Sequence, residues 1–459
     1  MHPDGTSGKT VEARPIEAAE FDAAMAPLLG AVDGCLTVAC SGGPDSIALV
    51  VLAAEWAGRH GIPVQAVTVD HGLRPEAPAE AESVAESLNA QGIPAIALHH
   101  EGAIPKSDVQ AAAREIRYRL LADWLSVRTG KAVLLAHHQD DQAETLLLRL
   151  GRGSGVDGLS AMAPVTHRDG LILLRPLLGF PKARLEATAV RSGLPIVRDP
   201  SNENGGFARV RVRRLREMLA AEGMTPARLA ETASRMARAR AALEAARDRF
   251  IETQAQSDPT GFLTFAPGPF ADLPEEVALR VLSHSVRILG GRAHPPRERY
   301  LTALHEAIVS GQLGGGRTLA GTKVSVWRDG ILVCREPAGV AAPILLRDGV
   351  TWDSRFVCRL AVDPAHEGGG LWEVGALGRQ GVTEARKSGP EALNRLPGPV
   401  RAAIPAVRRN GRIVSVPHLD LYGDGPLPKG GIAFRAVSDA WGVGFQRVLP
   451  FSNPAARPM

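Results

Sequence analysis

Four short apolar runs, each ending in a polar or glycine-rich turn and separated from the next by a helix-length amphipathic stretch, limit what the N-terminal part of this chain can fold into. The runs are CLTVAC (35–40), PVQAVTVD (63–70), PAIALHH (94–100) and AVLLAHH (132–138). Helical stretches occupy 45–60, 77–91, 107–129 and 139–150. This alternation predicts βαβ units and a mostly parallel sheet. In such a sheet ligands sit beyond the carboxyl ends of the strands, where the polar clusters of this chain fall.

After DPSNENGG (199–206) the pattern turns to long helices, 207–219 and 226 to about 254, then LPEEVALRVLSHSVRIL (273–289) and RERYLTALHEAIVSG (297–311). Alternation in RTLAGTKVSVWRDGILVCRE predicts a strand pair turning around Asp329-Gly330. PAGVAAP (337–343) reads as a linker, and the text beyond it as a small strand-rich domain. A chain of 459 residues exceeds one ordinary core, so two or three domains are expected.

A hydrophobic share of 45% describes a soluble globular protein. No apolar run approaches the roughly 18 residues of a membrane span. The N-terminus has no apolar stretch that could act as a signal, so a cytoplasmic location is expected. Cys35, Cys40, Cys334 and Cys358 fit a reducing compartment and form neither a disulfide framework nor a zinc pattern. The net charge is only +4, yet eleven arginines face five acids between Arg209 and Arg249. That block suits a polyanion; a solvated basic helix with internal pairs is the alternative.

SGGPDS (41–46) lies between the first strand and its helix. Gly42 and Gly43 let backbone approach an anion, Pro44 and Asp45 start the helix whose N–H groups favour phosphate, and Ser41 and Ser46 add hydroxyls. No Lys follows the glycines, so this is not a Walker A loop. The stretch resembles the PP-loop of the N-type ATP pyrophosphatases, which cleave ATP between the α and β phosphates and transfer AMP. The resemblance implies ATP phosphates on Ser41, Gly42, Gly43, Pro44, Asp45 and Ser46. It implies adenosine near the end of the second strand, at Val69, Asp70 and His71.

AHHQDDQAETLLLRLGRGSG (136–155) is the second cluster. A helix beginning close to His137 would carry His137, Asp141 and Glu144 on one face. Several carboxylates at one cavity can hold Mg²⁺ through oxygen and can bind an ammonium ion; a capped, solvated helix start is the plainer explanation.

Read with VDHGLR (69–74), AAAREIRYRLL (111–121) and LLRPLLGFPKARLEATAVRSGLPIVRDPSN (173–202), this cluster resembles the bacterial tRNA(Ile)-lysidine synthetases over about 180 residues. Members commonly carry Arg-Asn after D-P-S-N, where this chain has Arg209-Val210. The resemblance implies ATP-dependent adenylation of the C2 oxygen of the wobble cytidine, in the CAU anticodon of an isoleucine tRNA. The ε-amine of L-lysine then attacks C2, and AMP leaves. An unperturbed lysine amine, with a pKa of about 10.4, is almost wholly protonated at neutral pH. Asp141 and Glu144 are the candidates to bind the ammonium and take its proton, with His137 an alternative acceptor.

Arg114 and Arg117, one turn apart, are candidates to hold the phosphate or the adenylated intermediate; a surface arginine pair is the alternative. Mg²⁺ is expected at Asp45 and Asp140. The tRNA backbone is expected at Arg209, Arg211, Arg213 and Arg214. The expected organisation is a flexible tail (1–20), a PP-loop catalytic domain (21–222), a mainly helical, tRNA-contacting middle domain (223–337) and a small C-terminal domain (344–450). The protein is expected to act away from membranes, as a monomer or homodimer. The rival readings are a PP-loop tRNA cytidine thiolase, which needs paired cysteines, a synthetase for a small metabolite, and a tRNA-binding protein without catalysis.

Overall fold

The structure is a computed structural model that describes residues 13–32, 34–72, 76–102, 109–128, 130–197, 211–213, 215–292, 294–360, 370–388, 390–422 and 432–436. It divides into two compact units, Met1–Arg240 and Ala241–Met459.

The first unit is built on a six-stranded sheet. Its strands are β1 (Leu36–Ala39), β2 (Val64–Asp70), β3 (Ala95–His99), β4 (Ala132–Leu134), β5 (Val165–Arg168) and β6 (Leu171–Leu174). They lie in the order β3-β2-β1-β4-β6-β5. All pairs are parallel except β5 with β6. The longer helices that pack with it are α1 (Ala18–Met25), α2 (Pro44–His60), α3 (Ala77–Ala90), α4 (Val109–Ser126), α5 (Gln139–Leu150) and α6 (Lys182–Ser192). Proline at the first position opens α2, and Gly61, at φ +65°, closes it with the left-handed turn that glycine accepts without penalty. Ile47, Leu49, Leu52 and Trp56 of α2 are buried against Leu36 and Val38 of β1 and Leu134 of β4, which is why this helix reads as apolar along most of its length.

Residues 13–20 are not a tail. Ile16 is fully buried, its N–H donates to Thr188 Oγ1 at 2.9 Å, and Arg184 donates to the Pro15 carbonyl and pairs with Glu20. An apolar side chain and a carboxylate with specific partners dock this segment onto α6. β4 stops at Leu134, so His137 and His138 lie in the turn that follows it.

The unit boundary also falls later than expected, inside the continuous helix α7 (Pro226–Gln254). Leu229 and Ala233 pack with Leu146 and Ala161 of the first unit, whereas Phe250 and Ile251 join the core of the second. In that second unit an antiparallel sheet runs in the order β7 (Ala255–Asp258), β8 (Phe262–Phe265), β11 (Gly330–Arg335), β10 (Thr322–Trp327), β9 (Arg317–Leu319). Helices α8 (Glu275–Leu289) and α9 (Glu298–Val309) cover it through Val281, Leu282, Leu304 and Ile308. The β10–β11 hairpin turns at Arg328-Asp329, one residue earlier than expected, with Trp327 opposite Gly330.

The described strands between Ile344 and Ala436 form two further small sheets, one of five strands and one of three. The five-stranded one shares a core with the preceding sheet, since Phe262, Leu332 and Cys334 pack with Ala406, Val416, Leu377 and Ile404. The stretch 337–343 therefore does not separate two bodies. Beside it Asp353 accepts from Arg335 Nη2 at 2.8 Å and Arg355 Nε at 2.7 Å, while Arg335 also donates to the Gly290 and Gly321 carbonyls. Burial alone would raise the Asp353 carboxyl, but Arg335 and Arg355 hold it below its ordinary value; burial lowers Arg355 to about 10.

Removing the shared anion leaves two buried guanidinium groups uncompensated. Asp353→Ala is expected to destabilise the second unit by about 3–5 kcal/mol in denaturant unfolding. A loss below about 1 kcal/mol, the range of an exposed pair, would show that the network carries little.

Candidate active site

β1 has β2 on one side and β4 on the other, and chain direction across the sheet reverses between them. The carboxyl ends of β1 and β4 therefore flank the crevice where open α/β sheets take their ligands. A cavity of about 780 Å³ lies there, within the usual range for small-molecule sites. The turn after β1, the turn after β4 and the start of α5 line it.

The turn after β1 is held from within. Ser46 Oγ donates to the Gly43 carbonyl at 2.9 Å and accepts from the Ser41 N–H at 3.1 Å, so a buried hydroxyl ties both ends of the glycine pair together. Gly42 has φ +77°, and a Cβ there would meet Val84 Cγ2 at 2.7 Å. Its carbonyl accepts from the Val197 N–H at 2.9 Å. Gly43 is the N-cap of α2 and Pro44 its first residue, which leaves the free N–H groups of the first turn at the cavity.

His138 is the N-cap of α5, with φ −128°. The helix therefore begins at Gln139, and the expected face of His137, Asp141 and Glu144 does not form. His137 precedes the helix, and its Nδ1 accepts from Arg175 Nε at 3.3 Å. His138, which the sequence reading passed over, takes the central place. Its Nε2 lies 3.5 Å from both Asp45 Oδ2 and Asp141 Oδ2, and its Nδ1 3.9 Å from Asp140 Oδ2. Burial alone would lower this imidazole, but Asp45, Asp141 and Asp140 together raise it above its ordinary value.

The four carboxylates have distinct surroundings. Asp45 and Asp141 line the cavity. Asp140 Oδ2 accepts from the Lys182 N–H at 3.0 Å and so caps the start of α6. Glu144, nearly buried, accepts from Arg213 Nε at 2.5 Å and Nη2 at 3.2 Å, beside a smaller apolar pocket formed by Leu147, Val212 and Leu229. Arg117 lines the main cavity, donates to His71 Nε2 at 2.8 Å and is lowered by burial. Arg114 is exposed, over the ring of Tyr118, and does not line it.

Val69 is part of the wall, whereas Asp70 accepts from the Gly72 N–H at 2.8 Å and lies against His99 at 3.4 Å. Arg211 is exposed; Arg209, Val210 and Arg214 lie outside the described residues. Lys182 and Glu186, 3.3 Å apart on α6, also line the cavity. A proline N-cap followed by a lysine, Pro181-Lys182, was the signal in the sequence that could have pointed to them.

A histidine raised in the fold stabilises it fully below the ordinary value of about 6.5, and that contribution is lost as pH rises through the raised value. The stability gap between the unliganded protein and His138→Asn should therefore be larger at about pH 6 than at about pH 9. Denaturant midpoints measure it, and a gap that widens with pH would contradict the arrangement.

Residues 15–219 match the family model of the PP-loop domain. The chain is 44% identical over 336 residues to a protein of Methylobacterium nodulans named tRNA(Ile)-lysidine synthase, covering 72% of this chain and 98% of that relative. It is 44% identical over 346 residues to a protein of the same name from Bradyrhizobium diazoefficiens, covering 71% and 95%. It is 40% identical over 366 residues to another from Ruegeria pomeroyi, covering 77% and 83%. Among solved structures it is similar to the U34-tRNA thiolase NcsA of Methanococcus maripaludis, at 16% identity and a TM-score of 0.41, over 48% of this chain and 76% of that one. With more than two thirds of several relatives covered at 40% identity or above, the chain belongs to the tRNA(Ile)-lysidine synthase family.

Proposed function

We propose that the protein joins L-lysine to C2 of the wobble cytidine of a CAU-anticodon isoleucine tRNA, using ATP and releasing AMP and diphosphate. The observation that carries this reading is the meeting, at one cavity of a chain of this family, of a phosphate-binding turn and a carboxylate-bearing helix start. The C2 oxygen is a poor leaving group. Its attack on the α-phosphate, with diphosphate leaving, makes it part of AMP; attack by the neutral lysine amine on C2 then expels AMP.

The N–H groups at the start of α2 and the hydroxyl of Ser41 suit the triphosphate. Buried Asp45 Oδ1 accepts no hydrogen bond from the described residues, so a divalent cation with phosphate oxygens fits beside it. Mg²⁺ bound there would offset negative charge on the phosphates. Asp140 suits this role less, since it caps α6. Asp141 faces the cavity and suits the lysine ammonium and its proton. Glu144 would share the cation-binding role only when Arg213 gives way.

The RNA bases to be read are unstacked in an anticodon loop, and exposed Arg211 and half-exposed Arg213 suit its backbone. The proposed setting is the cytoplasm, as monomer or homodimer. Among the described residues no helix is long and apolar enough to cross a membrane. The thiolase alternative is disfavoured by the thiols themselves. Burial raises Cys35 and Cys40, and pushes Cys334 and Cys358, in the other unit, up to about 12. A thiol held protonated is a poor nucleophile or ligand.

Purified protein with the tRNA, ATP and labelled lysine should release AMP in proportion to lysine entering the RNA. Asp141→Ala should lower lysine transfer by about 10²-fold or more, the usual contribution of a general base. Diphosphate release without lysine incorporation would keep the nucleotide chemistry and exclude lysine as the nucleophile.

A further inference from the structure

Helix α6 has two unlike faces. Leu185, Thr188 and Ala189 are buried, Leu185 and Ala189 in the same core as Ile47, Leu49 and Leu52 of α2. Lys182, Glu186 and Val190, at i, i+4 and i+8, line the main cavity together with Ser41, Gly43 and Asp45 of the glycine turn. The Lys182 N–H donates to Asp140 Oδ2 at 3.0 Å, which fixes its backbone at the start of α6. Its ammonium lies 3.3 Å from Glu186 Oε1, with the two side chains 40% and 50% exposed. Such an i, i+4 pair is a weak hold. Arg117 and Arg213 line the cavity too, but Arg213 donates twice to buried Glu144, and Arg117 donates to His71. Of these three cations Lys182 is therefore the one most easily transferred to an incoming anion.

We infer that Lys182 is a diphosphate-binding residue: its ammonium leaves Glu186 for the β- and γ-phosphate oxygens of ATP and holds the diphosphate as it departs. The inference rests on the ATP-using reading above. His71, to which Arg117 donates, follows β2, and Asp140, which caps α6, belongs to the first turn of the helix after β4. β2 and β4 are the two neighbours of β1. A triphosphate laid across the glycine turn therefore has Arg117 on the β2 side and Lys182 on the β4 side. With adenosine expected at the end of β2, Arg117 falls to the α-phosphate and Lys182 to the β- and γ-phosphates. As the C2 oxygen bonds to the α-phosphorus, the bond from that phosphorus to the bridging oxygen breaks and diphosphate takes its electron pair. Negative charge grows on the leaving group, and the ammonium offsets it without giving up a proton. Before ATP binds, Glu186 keeps the lysine side chain at the cavity; with Asp45 and Asp141 it also adds to the negative charge that an incoming anion meets.

Nucleotide binding to the full chain with Mg²⁺, without tRNA or lysine, tests this. The probes are AMP and the ATP analogue in which a methylene group replaces the oxygen between the α- and β-phosphates, so that it cannot be cleaved there. Lys182→Met should weaken binding of the analogue by about tenfold or more, the loss of one charged hydrogen bond, and leave AMP as tightly bound as before. Retained AMP binding also shows that the variant has folded. Lys182→Arg, which keeps a cation, should restore most of the preference for the analogue. Glu186→Gln should tighten the analogue more than AMP, and that extra gain should vanish in the Lys182→Met background. Equal binding of the analogue by wild type and Lys182→Met, or a loss shared equally by AMP, would overturn the inference. Should Lys182→Met fail to fold, Glu186→Gln decides: the same gain for the analogue and for AMP would reflect only the removed negative charge and would overturn it. Wild-type protein that binds neither probe would overturn the ATP reading itself, an outcome distinct from these. Failure of lysine transfer alone leaves the test standing.

Discussion

The parallel pairing of β1 with β4, in which Thr37 stands opposite Val133 and Val38 opposite Leu134, is the interaction on which the site depends. Neither turn alone is a reaction centre. The glycine turn after β1 can hold an anion, and the helix that follows the histidine turn after β4 carries carboxylates that would repel one. Adjacent strands bring their ends within one cavity, so a negatively charged nucleotide and a positively charged amine can be bound side by side. The apolar side chains of β1, β4 and α2 that bury this pairing are therefore as necessary to the chemistry as the polar groups above them.

Crowding four carboxylates near one phosphate site creates a problem of like charge, and the structure meets it with basic groups already in the protein. His138 stands between Asp45 and Asp141, and Arg213 holds Glu144. Arg117, which lines the cavity, and Arg175 each donate to a histidine, and burial lowers both guanidinium groups. The site thus combines carboxylates suited to an ammonium with helix N–H groups and a guanidinium suited to phosphate, the two kinds of group needed where an amine displaces a phosphorylated oxygen.

Much of this was legible in the sequence, for physical reasons. Strand and helix periodicity located β1 to β4 and α2 to α5 within a few residues, because buried strands and amphipathic helices leave distinct apolar patterns. α7 was placed from Pro226 to Gln254, since proline marks its first residue. The SGGPDS turn stands where it was expected, after β1 and at the start of α2. What could not be read were contacts between distant positions. Arg213 and Glu144 are 69 positions apart, and Arg175 and His137 38 apart; no local spacing joins them. His138 escaped for a smaller reason. In the pair His137-His138 a one-residue change in where the helix starts decides which ring faces the carboxylates, and helix ends are what periodicity places least well. The unit boundary was missed because α7 is continuous while its two ends serve different cores.

The most direct measurement of the central claim is the mass of the wobble nucleoside recovered from tRNA treated with the protein, ATP and lysine. The account predicts cytidine that has gained one lysine and lost one water, at that position alone. A nucleoside of unchanged mass, or one in which oxygen has been exchanged for sulfur when a sulfur donor is supplied, would contradict it.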